Sequence, residues 1–401
     1  MVPLRSLDAN IYYLYLIKLA KWLMLIMPIV VLFYTENGLD TYHLYLLQAA
    51  YSLCVALFEI PSGYVADIVG RRTTLIWGAI LGTLGFGVLS LSHTFTGFLA
   101  AEIILGLGGS FVSGADSALL YDSLAAQGKQ NYYLRYEGRI TALGNFGETV
   151  AAIGGGLIAA WLSYRSVYVV QTLVAAIGIP AALLLIEPAR HKIVTRPSFS
   201  QIAAISYRSL CVDKKLSGTI VGSSVAGMAT LCMAWTAQIY FVEQGFTERE
   251  ITPLWVMLNL TVAVVSACAA AVVTRFGVRR AMLVTTLLPA GFIMLGVLPL
   301  TPALISLFAF YLVRGYTTPM LRDLINRNCD SSVRATVLSI RSLIIRLAFS
   351  ISGPFIGFAA GRTTLSCALI LFGSGLLAVS VGATIYLFRN NACQDYGDDG
   401  P

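Results

Sequence analysis

Nine ionisable side chains sit within long apolar stretches of this sequence: Lys18, Lys21, Glu59, Glu102, Asp116, Glu148, Arg314, Arg341 and Arg346. Their types limit the chemistry. A buried carboxyl can take up and release a proton, whereas arginine in effect cannot. The four acids (Glu59, Glu102, Asp116 and Glu148) all precede residue 150, and the arginines all follow residue 310. Proton exchange is therefore assigned to the first half, with Asp116 and Glu148 favoured. An anionic group on the cargo is assigned to Arg314 or Arg341, and Lys21 and Arg346 are further cavity candidates. Trp235, Gln238, Asn259 and Tyr311 are candidates for the walls of an amphipathic cavity, although such aromatics also pack or anchor at a membrane interface. Fixed ion pairs between helices are the competing reading for each charge.

Other chemistries lack their residues. The three histidines (His43, His93 and His191) fall in or beside predicted loops and form no cluster, and no HExxH, GxSxG or P-loop pattern occurs. That argues against metalloprotease, serine hydrolase and ATP-driven mechanisms. The seven cysteines form no CxxC pair, so neither a zinc site nor a disulfide framework is expected. No cofactor is expected, and the chain is not read as an enzyme.

The elements that hold these charges follow from composition. Of 401 residues, 57% are hydrophobic and 12% charged, about half the charge of an average soluble domain. A spanning helix takes about 20 mainly apolar residues. On that template the sequence predicts twelve spans, near 11–34, 42–66, 73–95, 97–121, 140–163 and 165–186, then 217–242, 252–274, 280–299, 301–321, 335–360 and 363–388. The apolar run at the start extends to Tyr34 with no cleavage-site pattern, so it reads as a first span. The fold class is an all-α membrane protein.

Charge orients the spans. With the N-terminus inside, the cytoplasmic segments hold 19 lysines and arginines and the outer segments three (Arg165, Arg249 and Arg362). This satisfies the positive-inside rule with both termini cytoplasmic. It also accounts for the net charge of +7 without nucleic acid. The basic stretch 187–216 divides the chain into bundles at 1–186 and 217–388, followed by a tail at 389–401. Phe199, Ile202 and Ile205 in that stretch have helical spacing and predict a short helix. Glycines at Gly78 and Gly82, at Gly106, Gly108 and Gly109, and at Gly154, Gly155 and Gly156 predict close helix contacts.

"GYVADIVGRR" (Gly63–Arg72) lies between the second and third spans, and "VTRFGVRR" (Val273–Arg280) lies at the matching place in the second half. The first resembles motif A of the major facilitator superfamily, written G-x-L-A-D-R-x-G-R-K. Gly63, Ala66, Asp67, Gly70, Arg71 and Arg72 match in type, while Val65 and Ile68 depart. "FEIPSGYVAD", "SGADSALLYDSL" and "RATVLSIRSL" resemble a bacterial subset of that superfamily.

The resemblance covers essentially the whole chain and implies two six-helix bundles around a central site. It further implies a gate in which Asp67 and Arg71 interact with Asp122 at the inner end of the fourth span. Thr274 replaces the acid in the second copy, so no equivalent gate is expected there. "GNFGETVAAIGGG" (Gly144–Gly156) resembles the antiporter motif loosely, with Glu148 in place of its proline.

The reading is a monomeric secondary transporter in a bacterial inner membrane, moving a drug-like or siderophore-like molecule outward in exchange for protons. Uptake by proton symport is the alternative. A receptor that binds without transport is a third, more distant one.

Overall fold

The computed structural model describes residues 6–129, 132–188, 199–329 and 333–390. Arg5, Arg190, Lys192, Arg196, Cys393 and both chain ends lie outside the described residues. Among those described, the chain is helical and contains no strand. Among the described residues, ten helical stretches are long and apolar enough to cross a membrane, Tyr164–Leu184 and Val278–Val297 each counting as one.

In order, the elements are α1 (Leu7–Trp22), α2 (Val30–Glu36), α3 (Thr41–Ile68), α4 (Arg71–Leu91), α5 (Phe95–Ala125), α6 (Tyr133–Trp161), α7 (Tyr164–Ala176), α8 (Gly178–Leu184) and α9 (Phe199–Tyr207). A π turn at Arg208–Val212 follows, then α10 (Lys214–Glu243), α11 (Glu248–Ala267), α12 (Ala269–Phe276) and α13 (Val278–Thr286). The last four are α14 (Ala290–Val297), α15 (Leu300–Arg327), α16 (Arg334–Arg362) and α17 (Leu365–Arg389). The helix expected around Phe199 forms as α9.

The described residues fall into two compact units. One is bounded as Met1–Ile193 with Phe241–Val256, the other as Val194–Tyr240 with Met257–Pro401. The hairpin between α10 and α11 thus groups with the first unit.

The first predicted span is corrected in one respect: it is two helices, α1 and α2, separated by residues 23–29. Pro28 lacks an amide hydrogen, and its ring crowds the carbonyl four residues earlier. The opened backbone is satisfied locally, since the Leu25 amide donates to Gln171 Oε1 at 2.8 Å. Helix α6 approaches this segment at Gly155, where a Cβ would lie 1.9 Å from the Leu25 carbonyl oxygen.

Small residues also bring α4 and α5 together. A Cβ on Gly78 would meet Val112 Cγ2 at 2.6 Å, and one on Gly108 would meet the Gly82 amide nitrogen at 2.9 Å.

Polar side chains fasten the ends of the first unit. Asn10 is fully buried. Its amide donates to Ser123 Oγ at 2.9 Å and to the Ile186 carbonyl at 2.8 Å, and its oxygen accepts from the Ile186 amide at 2.8 Å. This joins α1, α5 and the chain just after α8. At the other end of α4, Arg165 donates to the Ser90 and Ser92 carbonyls at 2.6 and 2.9 Å and to Asn37 Oδ1 at 2.8 Å. A guanidinium there satisfies orphan carbonyls and complements the negative helix end.

Candidate functional site

Helix α5 carries the acids that matter most, at three levels of the first unit. It starts on a Thr94 cap, whose hydroxyl accepts from the Gly97 amide at 3.3 Å, and runs for 31 residues. At ~1.5 Å per residue, Glu102 and Asp116 are separated by roughly 21 Å along it, and Asp122 lies about 9 Å beyond Asp116. They belong to three separate networks.

The network at Asp122 contains the Gly63–Arg72 motif. Gly70 caps α4 with a φ of +110°, a conformation glycine adopts without strain. Arg71 opens the helix, is buried, and forms an ion pair with Asp122. Behind it, Glu187 accepts from the Arg71 amide at 3.0 Å through Oε1 and from the Arg72 amide at 2.7 Å through Oε2. A carboxylate on two free amides at a helix N-terminus is a charge-assisted cap. Arg72 reaches the Leu183 carbonyl at 2.9 Å. Gly63 is half-buried in α3. Asp67 falls in the last turn of α3, and its side chain lies outside those described.

The network at Asp116 is centred on a lysine. Lys18 and Asp116 are both buried, with Lys18 Nζ 3.7 Å from Asp116 Oδ2. Lys18 donates to Glu137 Oε1 at 2.7 Å and to Ser117 Oγ at 3.2 Å, and Ser117 donates to Glu137 Oε1 at 3.0 Å. Of the two lysines, Lys18 is buried between α5 and α6, and Lys21 is exposed. The carboxylate nearer to Lys18 is Glu137, which the sequence reading placed in a connection because the apolar run begins only at residue 140. Its spacing of eleven residues before Glu148, three helical turns, was the available signal.

The third network surrounds Glu102. Its carboxylate is buried and accepts from the Tyr34 hydroxyl at 2.7 Å and from Gln48 Nε2 at 3.2 Å. Both donors are neutral groups. Aromatic rings enclose the site: Tyr34 packs edge-on to Phe98 at 5.1 Å, and Phe33 lies 4.1 Å from Tyr168. Tyr34 and Gln48 carry no sequence signal, because each reads as part of an apolar helix. Glu59 and Glu148 are half-buried on α3 and α6.

In the second unit the cationic candidates sit on α15 and α16. Arg341 donates to Ser223 Oγ of α10, and the Arg314 guanidinium lies 5.2 Å from the centre of the Tyr311 ring. Tyr311 and Gln238 are buried, and Gln238 Oε1 and Arg346 Nε have no hydrogen-bond partner among the described residues. Trp235 and Asn259 are half-buried. Among the described residues no His, Cys, Asp and Glu group has a metal-binding arrangement.

Comparison with known proteins agrees with this architecture. Residues 19–353 match the family model described as Major Facilitator Superfamily. The multidrug resistance protein Stp of Mycobacterium tuberculosis is 27% identical over 344 residues, 86% of this chain and 56% of Stp. The chain thus spans little more than half of that relative. The putative multidrug resistance protein MdtD of Escherichia coli (strain K12 / DH10B) is 23% identical over 410 residues, covering 88% of this chain and 83% of MdtD. Among solved structures, a mutant of the nucleoside transporter NupG superposes with a TM-score of 0.77 at 12% identity, over 95% of this chain and all of that one. A bacterial homologue of the lysosomal transporter Spinster gives 0.65 at 16% identity, over 99% and 98%. At these identities the structures speak for the fold alone.

Proposed function

The chain belongs to the major facilitator superfamily, and from that premise we propose a secondary active exporter that moves a small amphipathic molecule out across the bacterial inner membrane in exchange for protons. It is a multi-pass membrane transporter rather than an enzyme. Export is supported by relatives named for multidrug resistance. In this reading the ten long helices are joined by the α1–α2 pair and by α6 to make twelve crossings. The bundles are 1–186 and 217–388, the connection is 187–216, the tail is 389–401, and both ends are cytoplasmic. The transporter acts as a monomer.

The observation that carries proton coupling is the lysine shared by two carboxylates. Lys18 holds Glu137 at 2.7 Å and Asp116 at 3.7 Å. A proton arriving on Asp116 weakens the longer contact and leaves the shorter one in place. The charge balance between α1 and α5 changes without leaving Lys18 buried and unpaired, a state that costs several kcal/mol. Such a change can bias an equilibrium between two conformations. Glu148, one face along α6 from Glu137, is the second proton group. Glu59 and Glu102 are the reserve candidates.

Arg71, Asp122, Gly63, Asp67, Gly70 and Arg72 form the inner gate. Lys21, Arg314, Arg341, Arg346, Trp235, Gln238, Asn259 and Tyr311 are the groups assigned to cargo, and the excess of bases suits an anionic substituent on it.

Two measurements test the reading. Small molecules are compared in cells and medium with and without the gene: cargo that accumulates inside the deletion strain supports export, and a compound left unused in the medium means uptake. In proteoliposomes, D116N and E148Q are then assayed for cargo-driven proton movement. Loss of coupling with retained cargo binding is expected. Unchanged coupling in both variants removes the proton proposal.

A further inference from the structure

The second unit contains a cavity that the transport reading does not use. It lies where the π turn after α9, the start of α10 and the end of α15 meet, and has a volume of about 340 Å³. Leu216 and Cys329 give it a buried apolar floor. Arg208, Lys215 and Arg327 line it with one acid, Asp213, leaving two positive charges in excess. Asp213 is already engaged, since its Oδ1 accepts from the Leu216 amide at 2.9 Å and so caps α10. Arg327 pairs with Asp323 at 3.1 Å, but both side chains are well exposed (39% and 47%). An exposed pair of this kind holds its partners weakly.

We propose that this cavity binds a phosphate-bearing anion at the boundary between membrane and cytosol. Four features favour that chemistry over a neutral ligand. Two guanidinium groups can each form paired hydrogen bonds to phosphate oxygens. The positive end of the 30-residue helix α10 opens at the same place, where anions are favoured. The apolar floor accepts the carbon skeleton next to a phosphate. In the orientation proposed above, basic pockets at cytoplasmic helix ends face the anionic headgroups of the inner leaflet. The phosphate is borne by an anionic phospholipid or is free in solution, and the two sources separate experimentally.

The test uses the full chain purified in neutral detergent, with fluorescently tagged phosphatidylglycerol in mixed micelles as the probe and tagged phosphatidylcholine as the zwitterionic reference. Each basic residue near an anionic surface contributes about 1 kcal/mol, or roughly fivefold in affinity. R208Q/R327Q is therefore expected to weaken phosphatidylglycerol binding roughly 25-fold. R362Q removes one charge elsewhere and should leave binding as in wild type. R208Q alone, on a side chain that is exposed, gives the intermediate value. If millimolar inorganic phosphate displaces the probe from wild type, the site stands with free phosphate as an occupant; no displacement makes the lipid headgroup the occupant. Equal binding of both lipids, or wild-type affinity in R208Q/R327Q, overturns the proposal. The readout is binding, so this failure is distinct from failure of the exporter reading.

Discussion

Replacing Gly155 with alanine places one methyl group against the opened backbone between α1 and α2. The new Cβ would lie 1.9 Å from the Leu25 carbonyl oxygen, 2.7 Å from its carbon and 3.1 Å from its Cα. Ordinary contact is near ~3.5 Å, so main chain must shift by about 1.6 Å. A side chain could rotate aside, but three backbone atoms cannot. The same residue's amide donates to the buried Gln171 Oε1 at 2.8 Å, and a shift of that size breaks the bond. Overpacking costs about 1–3 kcal/mol, and leaving a buried acceptor unsatisfied costs about 1–3 kcal/mol more. A loss of about 3 kcal/mol, roughly 150-fold in the folding equilibrium, is expected. Gly154 is the internal control, because its Cβ would meet only Leu25 Cδ2 at an ordinary 3.6 Å. Thermal unfolding of the detergent-solubilised protein reads the comparison. G155A should melt well below wild type, by roughly 6 °C or more on the scale of soluble domains, while G154A stays close to it. Equal melting temperatures for the two variants would refute the close approach of α6 to residues 23–29.

Three further outcomes are expected. D122N leaves the buried Arg71 guanidinium uncompensated and should cost about 3–5 kcal/mol; in a double-mutant cycle with R71Q, a coupling energy near zero would remove the ion pair from the gate. E187A strips the cap from α4 and should lower stability by about 1 kcal/mol, with faster hydrogen exchange at the Arg71 and Arg72 amides; unchanged exchange there would show that the cap holds nothing. Asp40 lies just before α3: burial raises its pKa, but the His43 amide and ring hold it below the ordinary value. Its contribution is therefore present above about pH 4 and lost as pH falls further, so acid should loosen the first turn of α3 in wild type and not in D40N.

The membrane class and the place of the Gly63–Arg72 motif were legible along the chain. Each rests on composition over about 20 residues or on a local pattern, and both survive any packing. The partners of the charges were not legible. Lys18 and Lys21 differ by three residues, about 60° around a helix, and only the packing of α1 against α5 and α6 decides which is buried. Glu137 escaped because helix α6 begins at Tyr133, about two turns before the residues become apolar. Glu187 looked like the first residue of a linker until the fold brought it onto the amides of α4, more than a hundred residues away.

The helix breaks show the same division. Pro28, Pro180 and Pro289 lie at or just after interruptions, whereas Pro61, Pro253, Pro319 and Pro354 sit inside continuous helices, and the break at Cys268 has no proline nearby. A proline deletes one hydrogen bond wherever it stands. Whether the helix then opens depends on partners for the freed groups, and those partners, like Gln171 for Leu25, come from distant sequence.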